Sequence, residues 1–390
     1  MRKIYLDNAS TTKTDKDVVR AMSRCYRKYG WANASSLHSL GQKADKIVND
    51  CRSEIASIIN CRPENIIFTS GSTEGNNIVL QNCLMTSKDN NRKKIIISSI
   101  EHPSVRNVIH KLVNSGFEIV IAEVDQDGIV DIEKLKKNID EKTLLVSIMM
   151  VNNEVGSLQP IYTIGKLCKE KNVVFHVDAT QAINCAKINV KEFGVDCLTV
   201  SAHKFYGPKG VGFLYVSDVV KDEMQPIYFG GEQELGIRPG TYNVPGILGM
   251  TIAFKKTQAD VNKIAKEYLR LQELAKYFWL LLVTKVGGVK LNGPGIMLYG
   301  QRNPAIINIS FTGIGAESIF TMLDINGIEV GSGSACSGAS LDPSYVLTSM
   351  GRDAERAREG VRFSFSKHTT KRDIKKTIKI LKKIVEDIRG

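Results

Sequence analysis

Lys204 stands in the run Ser201-Ala202-His203-Lys204-Phe205-Tyr206, followed by Gly207-Pro208-Lys209-Gly210. An apolar stretch, Cys197 to Val200, precedes it and reads as a buried strand. A lysine in a Gly/Pro-rich loop at a strand end is poorly placed for packing. It is well placed to present an amine to a cleft. A lysine that forms a Schiff base with a carbonyl cofactor needs that presentation, with partial burial disfavouring its charge. Alone, Lys204 would read as a surface lysine in a turn. The company it keeps overturns that reading.

Four more polar clusters follow strand-like runs. Ile66-Phe68 leads into Thr69-Ser70-Gly71-Ser72-Thr73-Glu74-Gly75-Asn76, and Ile95-Ile97 into Glu101-His102-Pro103. Leu144-Met150 leads into Asn152-Asn153-Glu154, and Val173-Val177 into Asp178-Ala179-Thr180-Gln181. Ligands of open α/β sheets bind outside the carboxyl ends of the strands, so the clusters point to one composite site. Gly71-Ser72-Thr73 offers backbone N–H groups, hydroxyls and a helix start, which suit a phosphate. It is not a Walker motif, and no GxGxxG is present. Asp178 could pair with a protonated ring nitrogen; by itself it reads equally as a helix N-cap. His102 could stack on a planar ring and shuttle protons, although a lone His before Pro is usually a loop residue. A phosphate cradle, an aspartate and a Schiff-base lysine in one cleft specify pyridoxal phosphate.

The elements that must position these groups form an α/β pattern. Strand-like runs also occur at Ile119-Ile121 and Gly212-Val216. Amphipathic stretches such as Val105-Leu112 and Ile161-Glu170 lie between the runs. The alternation predicts a mostly parallel seven-stranded sheet with helices on both faces. Asp125-Gln126-Asp127-Gly128 has its glycine misplaced for a calcium loop and reads as a turn. A long helical region follows Pro245 to about residue 285. Beyond it come strand-like Ile306-Phe311, helix-like Glu317-Asn326, a Gly/Ser segment at Gly331-Ser340, strand-like Val361-Phe365 and a final helix. This tail reads as a smaller α+β domain. The expected division is 13–255 for the large domain, and 1–12 with 256–390 for the small one.

The 390 residues, 43% hydrophobic, suffice for two cores. No apolar run reaches membrane-spanning length, and the opening residues lack a signal-peptide core. The eight cysteines show no CxxC pair and no Cys/His metal spacing, so no metal site and a reducing, cytoplasmic setting are expected. The net charge of +12 is dispersed. Its densest stretch, Lys371-Lys383, reads as the solvated face of a helix, which makes direct nucleic-acid binding an unfavoured role.

The chain resembles the cysteine desulfurases, members of the aspartate-aminotransferase-like (fold type I) pyridoxal phosphate enzymes. The resemblance runs from Tyr5-Leu6-Asp7-Asn8-Ala9-Ser10-Thr11-Thr12 to Arg362-Phe363-Ser364. Its most specific pieces are Ser201-Ala202-His203-Lys204, Arg238-Pro239-Gly240-Thr241 and Gly333-Ser334-Ala335-Cys336. It implies that Lys204 carries the cofactor, Asp178 pairs with the ring nitrogen, Gln181 meets the ring hydroxyl and His102 stacks over the ring. Ser72, Thr73, Ser201 and His203 would hold the phosphate, with Thr241 supplied by the other subunit of a homodimer. Asn153, Arg362 and Asn33 would bind substrate; the arginine fork suits a carboxylate. Cys336, in its Gly/Ser-rich loop (about 331–341), would attack the sulfur of L-cysteine and become a persulfide. Alanine would leave, and the sulfur would pass to an iron–sulfur scaffold or to a tRNA- or cofactor-thiolating protein.

Three positions depart from the family pattern. Ala34 follows Asn33 where Pro is usual, which predicts a looser turn. Gly331 replaces a common Ser, which predicts a freer cysteine loop. Tyr242 replaces a frequent Glu, for which the sequence offers no physical account. A selenocysteine lyase or an aminotransferase is the alternative activity, and Cys336 argues against the latter. A non-catalytic docking protein would not need Lys204, Asp178, His102 and Cys336 together.

Overall fold

A computed structural model describes residues 3–86, 92–332 and 342–390. Strand β1 (Ile4–Leu6) opens the chain. Next come β2 (Ile66–Thr69), β3 (Lys94–Ser98), β4 (Glu118–Ala122), β5 (Thr143–Ser147), β6 (Val174–Asp178), β7 (Cys197–Ser201) and β8 (Gly212–Val216). These seven form one sheet in the order β2-β8-β7-β6-β5-β3-β4. Only β8 runs against its neighbours; the β7–β6–β5–β3–β4 pairings are all parallel. Each predicted strand run is a strand.

Both faces of this sheet are covered, which is why its strands read as continuous apolar runs. Ile66, Phe68, Val146, Phe175 and Val200 join one buried cluster, which includes the helices Ser39–Ile59 and Val244–Gln258. Ile67, Ile95, Ile97, Leu145 and Leu214 face the other way, against the helix Ser72–Thr86. Alternate side chains point to opposite faces, as a pleated strand requires. The amphipathic stretch from Val105 is delivered as two short helices, Pro103–Arg106 and Ile109–Asn114. The Asp125–Gly128 turn forms as expected: the Asp125 carboxylate accepts from Asp127 N and Ile129 N, and Gly128 has φ 75°.

The C-terminal third builds a second sheet from β9 (Val289–Asn292), β10 (Ile306–Phe311), β11 (Ile328–Ser332) and β12 (Gly360–Ser364). Its order is β1-β11-β12-β10-β9, so the first strand of the chain completes it. It has its own apolar core under the helices Val261–Lys285, Ala316–Ile325 and Lys371–Arg389. The last of these buries Ile374, Ile378, Leu381 and Ile384, as its spacing predicted.

Candidate active site

Between the strand ends of the large sheet and strand β12 of the small one lies a cavity of about 660 Å³. Ser72, Thr73, His102, Asn153, Asp178, Gln181, Ser201, His203, Lys204 and Arg362 line it. Ten residues singled out in the sequence, from five strand ends and the C-terminal tail, thus converge on one space. Asn33 and Thr241 are exposed and do not line it. Cys336 lies outside the described residues.

Lys204 ends a short 3-10 turn, Ala202–Lys204, directly after β7. Its Nζ donates to the Ala9 carbonyl at 2.6 Å and the Ser10 carbonyl at 2.9 Å. The loop that carries it is laced to the N-terminal segment. Thr12 Oγ1 donates to the His203 carbonyl, and Tyr206 N donates to Thr12 Oγ1. Tyr206 holds φ 68°, a left-handed conformation costing a bulky residue about 1 kcal/mol or more. Buried packing and the Thr12 bond pin it there.

Asp178 sits at the tip of β6, 5% exposed. Its Oδ1 accepts from Thr180 N at 2.9 Å and its Oδ2 from Asn76 Nδ2 at 2.8 Å. His102 caps the Pro103–Arg106 helix, its Nδ1 accepting from Ser104 N at 3.1 Å. Ser104 Oγ lies 2.8 Å from the same nitrogen. A nitrogen that accepts a backbone N–H bears no proton, so the ring carries its hydrogen on Nε2. Burial lowers the His102 pKa below the ordinary range; Asp178 opposes the shift and Lys204 supports it. Burial, with the Lys204 and Lys209 charges, also lowers His203 to about 4.

The cradle at the start of the Ser72–Thr86 helix is tight. Ser72 N donates to Ser201 Oγ at 3.1 Å. A Cβ on Gly71, which has φ 153°, would sit 2.8 Å from that hydroxyl, so only glycine brings this turn against β7.

Arg362, on β12, is 2% exposed. Its Nη2 donates to Asp7 Oδ1 at 2.9 Å and Ser10 Oγ at 2.6 Å, and its Nη1 to the Asn153 carbonyl at 3.0 Å. Its Nε, Asn153 Oδ1 and Thr180 Oγ1 are buried without a hydrogen-bond partner. Three such atoms around one cavity mark places for a polar ligand to fill. The donor set fits pyridoxal phosphate and an amino-acid carboxylate: an amine, a fixed carboxylate, an imidazole, a hydroxyl-lined helix start and a guanidinium.

Sequence reasoning missed Asn76, Ser104 and Asp7. Asn76 is fully buried; the one available signal was an amide beside Gly75 and Ile78 on the packed side of a helix. The three departures also gain a structural reading. Asn33 Oδ1 accepts from Ser35 N at 2.9 Å and its carbonyl from Ser36 N, so the turn expected to be loose is pinned. Tyr242 accepts from Glu234 N through its hydroxyl. Gly331 pairs with Arg362 across β11 and β12, and an added Cβ would collide with Asp7 Oδ1 and sit 2.5 Å from Arg362 Nη2. The freedom expected of this glycine is absent at residue 331 itself, where close packing needs it.

The profile of the aminotransferase class-V family matches residues 4–377, and the chain belongs to that family. Among its relatives, cysteine desulfurase IscS of Dictyoglomus turgidum is 41% identical over 388 residues, covering 100% of this chain and 96% of the relative. A solved NifS-like protein superposes with a TM-score of 0.88 at 32% identity, covering 100% of both chains. A structure described as SspA in complex with cysteine superposes with a TM-score of 0.80 at 29% identity, covering 95% of this chain and 100% of the other.

Proposed function

We infer that this chain is a pyridoxal-phosphate-dependent cysteine desulfurase that converts L-cysteine to L-alanine and moves the sulfur to Cys336. The observation that carries this reading is the convergence of Lys204, Asp178, His102 and Arg362 on one cavity, in a chain matched end to end by cysteine desulfurases.

When bound, pyridoxal phosphate supplies the electron sink that labilises the Cα–H bond of cysteine and then its Cβ–S bond. The chain's own residues do the rest. Lys204 holds the cofactor and, once freed by substrate, takes the Cα proton on Nζ; the Ala9 and Ser10 carbonyls steady the resulting ammonium. Asp178 would pair with the ring nitrogen and Gln181 with the ring hydroxyl, and His102 would serve as acid and base for the sulfur and cofactor protons. Ser72, Thr73, Ser201 and His203 hold the phosphate. Arg362 takes the substrate carboxylate through its open Nε, beside Asn153. The Cys336 thiolate then attacks the substrate sulfur. The Cβ–S bond breaks, an S–S bond forms, and alanine and a Cys336 persulfide are the products.

The wider context belongs to the same reading. A homodimer brings Thr241, exposed in this chain, into the neighbouring site. Residues 13–255 form the large domain, and 1–12 with 256–390 the small one, in keeping with two sheets and two cores. The enzyme works in the cytoplasm, and the persulfide passes to an iron–sulfur scaffold or another acceptor protein. No helix among the described residues is long and apolar enough to cross a membrane. The test is mass spectrometry after brief incubation of the holoenzyme with L-cysteine, without reductant. Reductant-labile sulfur on Cys336, with alanine released in step, is expected. Alanine without sulfur on Cys336, or neither product, overturns the assignment.

A further inference from the structure

One amide joins the two groups that flank the cofactor ring in the reading above. Asn76 lies in the second turn of the Ser72–Thr86 helix with no exposed surface. Its Oδ1 accepts from Thr199 Oγ1 at 2.6 Å. Its Nδ2 donates to Asp178 Oδ2 and to Ser104 Oγ, each at 2.8 Å. Both amide hydrogens are therefore used. The Asp178 carboxylate fixes which end of the amide is which, because a flipped amide would turn its oxygen on that carboxylate.

The Ser104 hydroxyl accepts from Asn76, so its own proton is free to point to His102 Nδ1, 2.8 Å away. Backbone Ser104 N donates to that nitrogen as well. The chain Thr199–Asn76–Ser104–His102 thus has one donor direction throughout, and a side branch ends on Asp178. It ties β7, the tip of β6, the phosphate-side helix and the residues after β3 into one network. Buried networks of this kind are sensitive to a single reversed donor.

We propose that Asn76 is a positioning residue for desulfuration. Its amide holds the Asp178 carboxylate in place and, through the Ser104 hydroxyl, gives His102 Nδ1 a second donor that supports the Nε2–H tautomer. Aspartate at 76 has nearly the same shape but no N–H. It would set a second carboxylate against Asp178, favouring a shared proton. It would also draw the Ser104 proton away from His102. The proposal rests on the cofactor reading above, and the two can fail separately.

The test uses Asn76→Asp and Ser104→Ala, with nitrogen-15 NMR of the His102 ring in the cofactor-free protein and visible titration of the cofactor-loaded enzyme. The signals are assigned by their loss in His102→Gln. Wild type should show an unprotonated Nδ1 and a protonated Nε2 at pH 7.5. Both variants should shift the His102 Nδ1 signal, because Nδ1 loses the Ser104 hydroxyl proton and keeps only the backbone Ser104 N–H. Asn76→Asp should also weaken cofactor binding at least tenfold and move the pH midpoint of the bound cofactor's absorbance by about one unit. A wild-type His102 spectrum in Ser104→Ala overturns the proposal even where Asn76→Asp does not fold. So does a folded Asn76→Asp with an unmoved midpoint. A wild-type protein that never binds pyridoxal phosphate overturns the functional reading instead, and the NMR arm still judges the network.

Discussion

On the wall made by the seven-stranded sheet, Asp178 has both oxygens engaged, the Asn76 amide is saturated, and His102 Nδ1 accepts from Ser104, although Thr180 Oγ1 there is buried without a partner. Across the cavity, Arg362 leaves Nε bare and Asn153 leaves Oδ1 bare, although both atoms are buried. The first wall belongs to one sheet with apolar layers on both faces. The second is assembled where β12 of the small sheet meets Asp7 and Ser10 of the N-terminal segment and the residues following β5. A resident cofactor suits a rigid, largely satisfied wall, since little there needs to move between turnovers. A transient substrate suits a wall with open donors and acceptors, which its binding satisfies.

Breaking the satisfied wall should have the largest effect. Lys204→Ala is expected to abolish the visible Schiff-base absorbance and lower turnover on the order of 10²–10⁴-fold, as loss of a positioned proton-transfer group does. Retained absorbance would assign the anchor to another lysine. On the open wall, Arg362→Ala should raise the KM for cysteine by a factor worth about 2–5 kcal/mol. Part of that penalty is Asp7 left without its partner, so the melting temperature should fall as well. The absorbance of the bound cofactor should stay. Steady-state kinetics and a thermal melt separate the two walls.

Acid should attack the satisfied wall next. His176 lies beneath Asp178, fully buried, with its Nδ1 2.8 Å from Ser147 Oγ. Burial lowers its pKa from 6.5 to about 4. The folded state therefore holds fewer protons than the unfolded state in this window, and stability is complete above about pH 6.5. It is lost as pH falls towards 4, by about 1.4 kcal/mol per pH unit for this imidazole. His203 shifts in the same direction. Denaturant melts of His176→Gln and wild type between pH 4 and 7 measure the difference; equal slopes would remove His176 from the account. The smallest effect is expected at Gly331→Ala, whose methyl crowds Asp7 Oδ1 and Arg362 Nη2 and should raise KM at a cost of about 1–3 kcal/mol. An unchanged KM would mean that β11 gives way at residue 331.

The strands of the large sheet were legible because burial on both faces demands unbroken apolar runs, and Cys197–Ser201 and Val174–Asp178 have them. Lys204, Asp178 and His102 were legible because each ends such a run with a polar group that has no packing role. The split of the Val105 stretch into two helices was not, because its periodicity continues across the break. Asp7 was quoted from the sequence only as part of a motif. Its partner Arg362 lies 355 positions away, and no local pattern carries a contact of that range.

By itself, the sequence determined the α/β class, the seven strand runs, the amine, the acid, the imidazole and the guanidinium, because periodicity and residue type are local properties. The tertiary structure decided which groups share a hydrogen bond. Asn76 became a hub only when Thr199 of β7, Asp178 at the tip of β6 and Ser104 of the Pro103–Arg106 helix came within 3 Å of its amide. Gly331 became a packing requirement only when β11 lay beside Arg362. Hydrogen-bond partners and close contacts depend on distances across the fold, and chain order does not encode those distances one residue at a time.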